Sequence, residues 1–323
     1  MTALRALSVI AGIILVAKIA AIGAENWPTK AIQVIGSFAA GNANDTVARV
    51  VLDQVTRQIG QPFVIENRPG GGGTIGPAMV AKADPDGYTI LLHSSSLSAQ
   101  VVLHAALPYD ALRDFEPVVL FGIQPSVLVT APSKRFKTVA NLVASAKARP
   151  AAMNFASAGI GSASHMAGER LRLAAGIDVQ HIPFRGAEGL AEVMAGRIDY
   201  YFIPIAPAAA LIADGKLTVL AVSTPRRAPS LPNVPTIAEA GYPAAEYLFW
   251  GGLSVPAKTS RDIVNKLHDE TLKALSMPAV ADSLGKLGVQ PQPTSVEELG
   301  KFVLDDMTAT VKLAKDAHIM PTN

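Results

Sequence analysis

Three short stretches hold the residue types from which a site could be built. The first is ENRPGGGGTIG, residues 66–76. Gly71, Gly73 and Gly76 satisfy G-x-G-x-x-G, a pattern that brings a backbone close to a pyrophosphate. That chemistry also needs an acid at the end of the next strand, about 20 residues on, for a ribose hydroxyl. The next strand ends in Leu92-His93-Ser94, without an acid. A phosphate-binding P-loop needs Gly-Lys-Ser/Thr, and here Thr74-Ile75 follow the glycines. The glycines are therefore expected to serve tight turning and close packing, with N–H groups at the rim of a cleft.

The other two stretches predict anion chemistry. SFAAGNAND, residues 37–45, has small residues that leave backbone N–H groups bare, and the helix that follows points its positive end at the same place. SAGIGSASH, residues 157–165, repeats the arrangement: Gly159, Gly161, Ser162 and Ser164 precede a helix starting near His165. Two such helix starts facing each other would hold a small carboxylate. A charge-assisted hydrogen bond contributes about 1.5–3 kcal/mol and a helix terminus about 0.3–2 kcal/mol, against about 8 kcal/mol for micromolar affinity. Several bonds drawn from both sides reach that figure without a cationic clamp. Asp45 is expected to cap its helix rather than touch a ligand. Arg185, the one cationic side chain on a cleft loop, either contacts the anion or stays solvated.

Catalytic readings find little support. Ser157, Ser162 and Ser164 lack the glycine pair of a G-x-S-x-G elbow. Ser94, Ser95 and Ser96 could donate to a ligand, but a hydrolase would need a base beside them, and none is evident. The six histidines show no metal-ligand spacing, and His93 and His165 are expected to be structural, hydrogen-bonded residues. No cofactor or metal is called for.

These loops need elements to position them. From Ala31, short apolar runs alternate with helical patterns: Ile32 to Ile35, a helix with Val47, Val50, Val51, Val55 and Ile59 on one face, Phe63 to Glu66, then Thr89 to Leu92. Asn44 or Asp45 serves as the N-cap of that helix and Gly60 as its stop. The rhythm restarts at Met153 to Ala156, Val179 to Pro183, Ile198 to Ile203 and Leu217 to Val222. Long extended runs, Val118 to Val129 and Tyr247 to Val255, separate the two rhythms. The pattern predicts two α/β lobes with doubly wound, mainly parallel sheets, joined by two crossings. We place the boundaries at 25–124 plus 248–323 and at 125–247. Loops at the carboxyl ends of strands then line the cleft.

Residues 1–24 resemble a signal peptide: Arg5 supplies the positive region, Ala6 to Val16 the apolar core, and cleavage falls after Gly23 or Ala24. An N-terminal anchor is the competing reading, opposed by Lys18 and the shortness of the run. Removing the leader leaves 26 basic against 26 acidic residues, which speaks against nucleic acid or anionic membrane as a partner. There is no cysteine, so thiol chemistry and iron–sulfur clusters are excluded.

The stretches WPTKAIQVI, FAAGNANDTVAR, ENRPGGGGTIG, LPYDALRDFEPV, NFASAGIGSASHMAGE, HIPFRGAEGLAEVMAGRIDYYF and VPTIAEAGYP together resemble the extracytoplasmic receptors of the tripartite tricarboxylate transporter, or Bug-type, family. The resemblance implies a type II periplasmic binding protein, a monomer that binds a small carboxylate and passes it to membrane permease subunits. It places ligand contacts on Phe38, Ala39, Ala40, Gly41, Asn42, Asn44 and Asp45, on Ser94 to Ser96, on Ser157 to His165, on Phe184, Arg185 and Gly186, and near Pro204. Some members carry an acid after the strand ending at Phe202; here Ile203-Pro204-Ile205 follows, which disfavours an amino-acid ligand and favours a plain or aromatic carboxylate. An exported α/β hydrolase and a ligand-presenting sensor subunit remain as other readings.

Overall fold

The computed structural model describes residues 27–184, 188–316, 319 and 321. The expectations for the leader, Arg185 and Gly186 lie outside these residues. Two five-stranded sheets organise the chain. The first contains β1 (Ile32–Gly36), β2 (Phe63–Asn67), β3 (Thr89–Ser94), β4 (Phe115–Gln124) and β10 (Phe249–Pro256), in the order β2-β1-β3-β10-β4. The second contains β5 (Ser126–Thr130), β6 (Met153–Ser157), β7 (Val179–Pro183), β8 (Tyr200–Pro204) and β9 (Thr218–Val222), in the order β7-β6-β8-β5-β9. In each, three strands run parallel: Val34 pairs with Ile65 and Ile90, and Phe155 with His181 and Tyr200. The strands after the third are antiparallel, β10 against β3 and β4, β5 against β8 and β9.

The run Val118 to Val129 is thus two strands, one in each sheet, divided at Pro125, which has no N–H to give to a ladder. Ile198 precedes β8 rather than opening it, because its N–H and that of Arg197 return to the Glu192 carbonyl.

Helices cover both faces of both sheets, as parallel strands buried on two sides require. On the first sheet lie α1 (Ala43–Ile59), α2 (Ile75–Val80), α3 (Ser96–Leu103), α8 (Arg261–Ser276), α9 (Pro278–Lys286) and α10 (Val296–Asp316). On the second lie α4 (Val139–Ala148), α5 (Ala163–Ala175), α6 (Glu188–Met194) and α7 (Ile205–Ala213). Val47, Val51, Leu52 and Val55 of α1 pack with Ile32, Val34, Leu253, Val264 and Leu284. Ile35, Leu91, Trp250, Leu299 and Val303 form the core on the other face. An apolar cluster of the second sheet, with Phe155, Leu171, Tyr200 and Phe202, extends to Ala99 and Leu103 of α3 and to Phe249 of β10, so the two halves share a seam. No helix among the described residues is long and apolar enough to cross a membrane.

Candidate functional site

The turn from β1 into α1 is built by its own side chains. Asn42 is the N-cap: its Oδ1 accepts the N–H groups of Asn44 and Asp45, at 2.9 and 3.2 Å. The expectation that Asn44 or Asp45 caps the helix is therefore corrected. Asp45 instead clamps the turn. Its carboxylate accepts the Gly41 N–H at 2.8 Å, the Arg49 guanidinium at 3.0 and 3.1 Å, and Asn67 Nδ2 at 3.2 Å. Burial works to raise its pKa, yet these donors, Arg49 foremost, hold it below the ordinary carboxylate value. Gly41 has φ 78°, open to glycine at little cost. Asn44 reaches the other way, its Nδ2 donating to the His93 carbonyl at 2.9 Å. That bond ties α1 to the end of β3, where Ser94, Ser95 and Ser96 are buried. Ser94 Oγ lies 3.1 Å from Ser96 Oγ, and the Ser95 N–H donates to the Trp250 carbonyl at 3.2 Å.

The turn from β6 into α5 follows the same plan. Ser162 is the N-cap, accepting the His165 N–H at 3.3 Å and donating to the Gly159 carbonyl at 2.7 Å. Ser164 Oγ accepts the Ala158 N–H at 3.0 Å. His165 turns back on the loop, its Nδ1 accepting the Gly161 N–H at 3.2 Å. Ser157 Oγ accepts the Gly159 N–H at 3.1 Å and lies 2.6 Å from His181 Nε2. Burial drives the pKa of His165 down to about 3 and of His181 to about 4. Both rings are neutral at pH 7.

The two turns share one further feature. In each helix the cap takes amides of the first turn, while the N–H of the first helical residue, Ala43 or Ala163, has no partner among the described residues. Both alanines pack against the shared apolar cluster. Leu103 at the end of α3 presses on the second turn, where a Cβ at Gly161 would lie 2.4 Å from Leu103 Cδ1. The structure thus brings Asn42 to Asp45, Ser94 to Ser96 and Ser157 to His165 to one seam. Phe184 joins them through its N–H, which donates to the Ser157 carbonyl at 3.0 Å. Phe38 faces the glycine loop, where a Cβ at Gly73 would meet its ring at 3.0 Å, while Ala39 and Ala40 are exposed. Pro204 caps α7, whose first N–H goes to the Pro125 carbonyl at 3.2 Å. Gly70, Gly71, Gly72 and Gly73 all have positive φ, and a Cβ at Gly72 or Gly73 would strike His104 or Gln100. Close packing therefore accounts for that loop.

Sequence reasoning missed His181, Asn67 and Gly251. His181 opens the HIPFRGAEG stretch, but it lies on a strand and no spacing marks its ring; Asn67 and Gly251 act through Asp45 and Asn44, which are distant in sequence. Two surface grooves, about 530 and 370 Å³, lie elsewhere, around Leu112, Leu304 and Val311. Their walls are mainly apolar and include none of the turn residues. Among the described residues no three His, Asp or Glu side chains converge on one point. Replacing Asn42 by alanine is expected to lower stability by about 1 kcal/mol, the usual worth of a cap, read as a shift in the urea midpoint.

Comparison with known proteins follows the same direction. A profile described as "Tripartite tricarboxylate transporter family receptor" matches residues 47–318. A Pseudomonas sp. (strain P51) protein, the UPF0065 protein in the tcbD-tcbE intergenic region, is 37% identical over 89% of this chain and 86% of its own. Among solved structures, R. palustris Rpa4515 with adipate has a TM-score of 0.85 at 29% identity, covering 92% of this chain and 100% of the other. MatC (Rpa3494) from Rhodopseudomonas palustris with bound malate has a TM-score of 0.81 at 30% identity, covering 89% and 99%.

Proposed function

Since this chain belongs to the tripartite tricarboxylate transporter receptor family, we propose that it is a non-catalytic periplasmic receptor. It holds one small organic carboxylate between its lobes and passes it to membrane permease subunits. The observation that carries the reading is the pair of helix starts at Ala43 and Ala163, each with an unclaimed N–H, packed against one apolar cluster. Ligand oxygens between them would draw on two helix dipoles at once. Adipate and malate in the two relatives support a carboxylate. The lobes run over 25–124 plus 248–323 and over 125–247, a division supported by the allocation of strands to sheets. The chain acts as a monomer. A grip from both lobes favours the closed form, because that form makes the more contacts.

The contact between Ser157 Oγ and His181 Nε2 is the one observation that favours a hydrolase. We read it as structural. Ser157 is fully buried, its hydroxyl also engages both backbone groups of Gly159, and His181 is packed between rings. A nucleophile needs access to its substrate, and this hydroxyl has none.

A thermal-shift panel of aliphatic acids (adipate and malate among them), aromatic acids and amino acids tests the proposal. Stabilisation by a plain or aromatic carboxylate, with the acid returned unchanged, is the expected result. Acid turnover, tight binding of amino acids alone, or no response to any carboxylate would each overturn it.

A further inference from the structure

His165 of the second turn and His181 of β7 are unused by the function proposed above, yet both are buried in a stack of rings beneath it. Tyr200, Phe155, His181 and His165 form a ladder of rings with centroid separations of 5.4, 4.9 and 3.9 Å. The last two rings are nearly parallel, at 17°. We propose that His165 and His181 are positioning residues for the turn 157–162, holding the Gly161 amide turned inward so that the amides of Ile160, Ala163 and Ser164 are the ones offered to an anion. The role in binding rests on the receptor reading; the lock on Gly161 does not.

The hydrogen bonds assign the protons. His165 Nδ1 accepts from Gly161, so its proton is on Nε2, which faces Glu169 Oε1 at 3.9 Å. Ser157 Oγ is within donor reach of the Gly159 carbonyl at 3.0 Å; with its proton placed there, His181 Nε2 donates across the 2.6 Å contact. Both rings are then neutral with the same tautomer, and the turn needs them so. A proton added to His181 enters at Nδ1 and leaves the Ser157 contact intact. One added to His165 also enters at Nδ1, where it meets the Gly161 N–H head on. Two donors cannot share that contact, and the turn must release Gly161.

The surrounding charges do not offset this. On α5 itself Glu169 is engaged by Arg172 at 2.7 Å. From β8 come the phenols Tyr200 and Tyr201, the second beside Ser164. The described parts of β6, β7 and α3 add no titratable side chain apart from His181. Acidification should therefore unlock the turn in a step that the neutral pair opposes until both rings are forced to share the charge.

Amide hydrogen exchange at Gly161 in the ligand-free, full chain is the test. His165→Asn retains an acceptor oxygen and His165→Leu removes it. Gly161 exchange, referred to the global unfolding measured for each variant, is expected to rise about tenfold or more in H165L and to stay near wild type in H165N. In the wild-type chain, exchange corrected for its intrinsic pH dependence and referred to global unfolding should rise as the pH falls through about 4 towards 3, where the native rings first take up protons, a reading that needs no variant to fold. Equal protection of Gly161 in H165L and wild type, or no pH response, would remove the lock. Affinity for the best acid of the panel should fall in H165L and recover in H165N; unchanged affinity despite a released Gly161 would overturn the positioning role. If no acid in the panel binds, the receptor reading fails while the exchange result still decides the lock.

Discussion

Gly252→Ala is expected to leave the chain unable to form a stable first sheet. β10 lies between β3 and β4. A Cβ at Gly252 would sit 2.2 Å from the Val119 carbonyl oxygen, 3.2 Å from its carbon and 3.3 Å from Leu120 Cα. All three atoms are backbone of the paired strand, so no side-chain rotation relieves the contact. The ladder is already irregular here, with a register shift between Gly251 and Gly252. Relief requires the strands to part, which exposes Leu253, Val119 and Leu120 of two cores. Overpacking of a core costs about 1–3 kcal/mol when side chains can adjust, and more when backbone must move. Against a typical stability of about 5–15 kcal/mol, that removes a large share of the margin that keeps the chain folded.

Its neighbour makes the contrast. A Cβ at Gly251 would lie 1.8 Å from Asn44 Oδ1. Asn44 is a side chain and can swing away, so Gly251→Ala should cost less stability. It would break the Asn44 bond to the His93 carbonyl, and with it the tether between the α1 start and the serine turn. Urea unfolding and calorimetric titration separate the two outcomes: G252A fails on stability, G251A on affinity with a smaller change in midpoint. A wild-type midpoint for G252A would show that the sheet yields where the structure says it cannot.

The same residues show what the sequence discloses and what it withholds. The two α/β rhythms were legible because each strand is a short apolar run and each helix repeats its apolar positions at helical spacing. Gly60 was legible as a stop because a left-handed residue after a helix is nearly always glycine, and its φ is 78°. The cap of α1 was not. Asn42, Asn44 and Asp45 have equal intrinsic claims to it, and tertiary partners decide between them. Asn44 is drawn to His93, Asp45 to Gly41, Arg49 and Asn67, and Asn42 is left to cap. Helix α7 escaped notice for a different reason. Its run, IAPAAALIA, is apolar throughout and shows no period to distinguish helix from strand. The turns themselves were visible as anion sites, but not how many of their amides are spent internally. That count depends on side chains such as His165 and Asp45, whose direction only the fold sets.

Acid should destabilise the protein well before its carboxylates are neutralised. His93, His165 and His181 are held neutral inside the fold, with pKa values lowered to about 3, 3 and 4, chiefly by burial. His93 is buried against the edge of Trp250, ring centroids 5.0 Å apart, with Ser254 Oγ 3.3 Å from Nε2. In the unfolded chain each returns to about 6.5. The sign follows from proton numbers. Above about pH 7 neither state holds these protons and stability is flat; between about 6.5 and 4 the unfolded chain takes up protons that the native one refuses, so stability falls with pH; below the native values the loss levels off. One unit of displacement corresponds to about 1.4 kcal/mol, so even a fraction of the displacement at three sites amounts to several kcal/mol. His165 and His181 titrate as a coupled pair, since their stacked rings cannot easily carry two charges. The urea midpoint is expected to drop steadily below about pH 6.5, with close to three protons taken up on unfolding near pH 5. H165N should reduce that uptake by about one, because it removes one of the refused protons without removing the hydrogen bond to Gly161. A midpoint that holds constant from about pH 7 to pH 5 would mean that the buried histidines find protons in the native state, and that the neutral ladder beneath the second turn is not what keeps its shape.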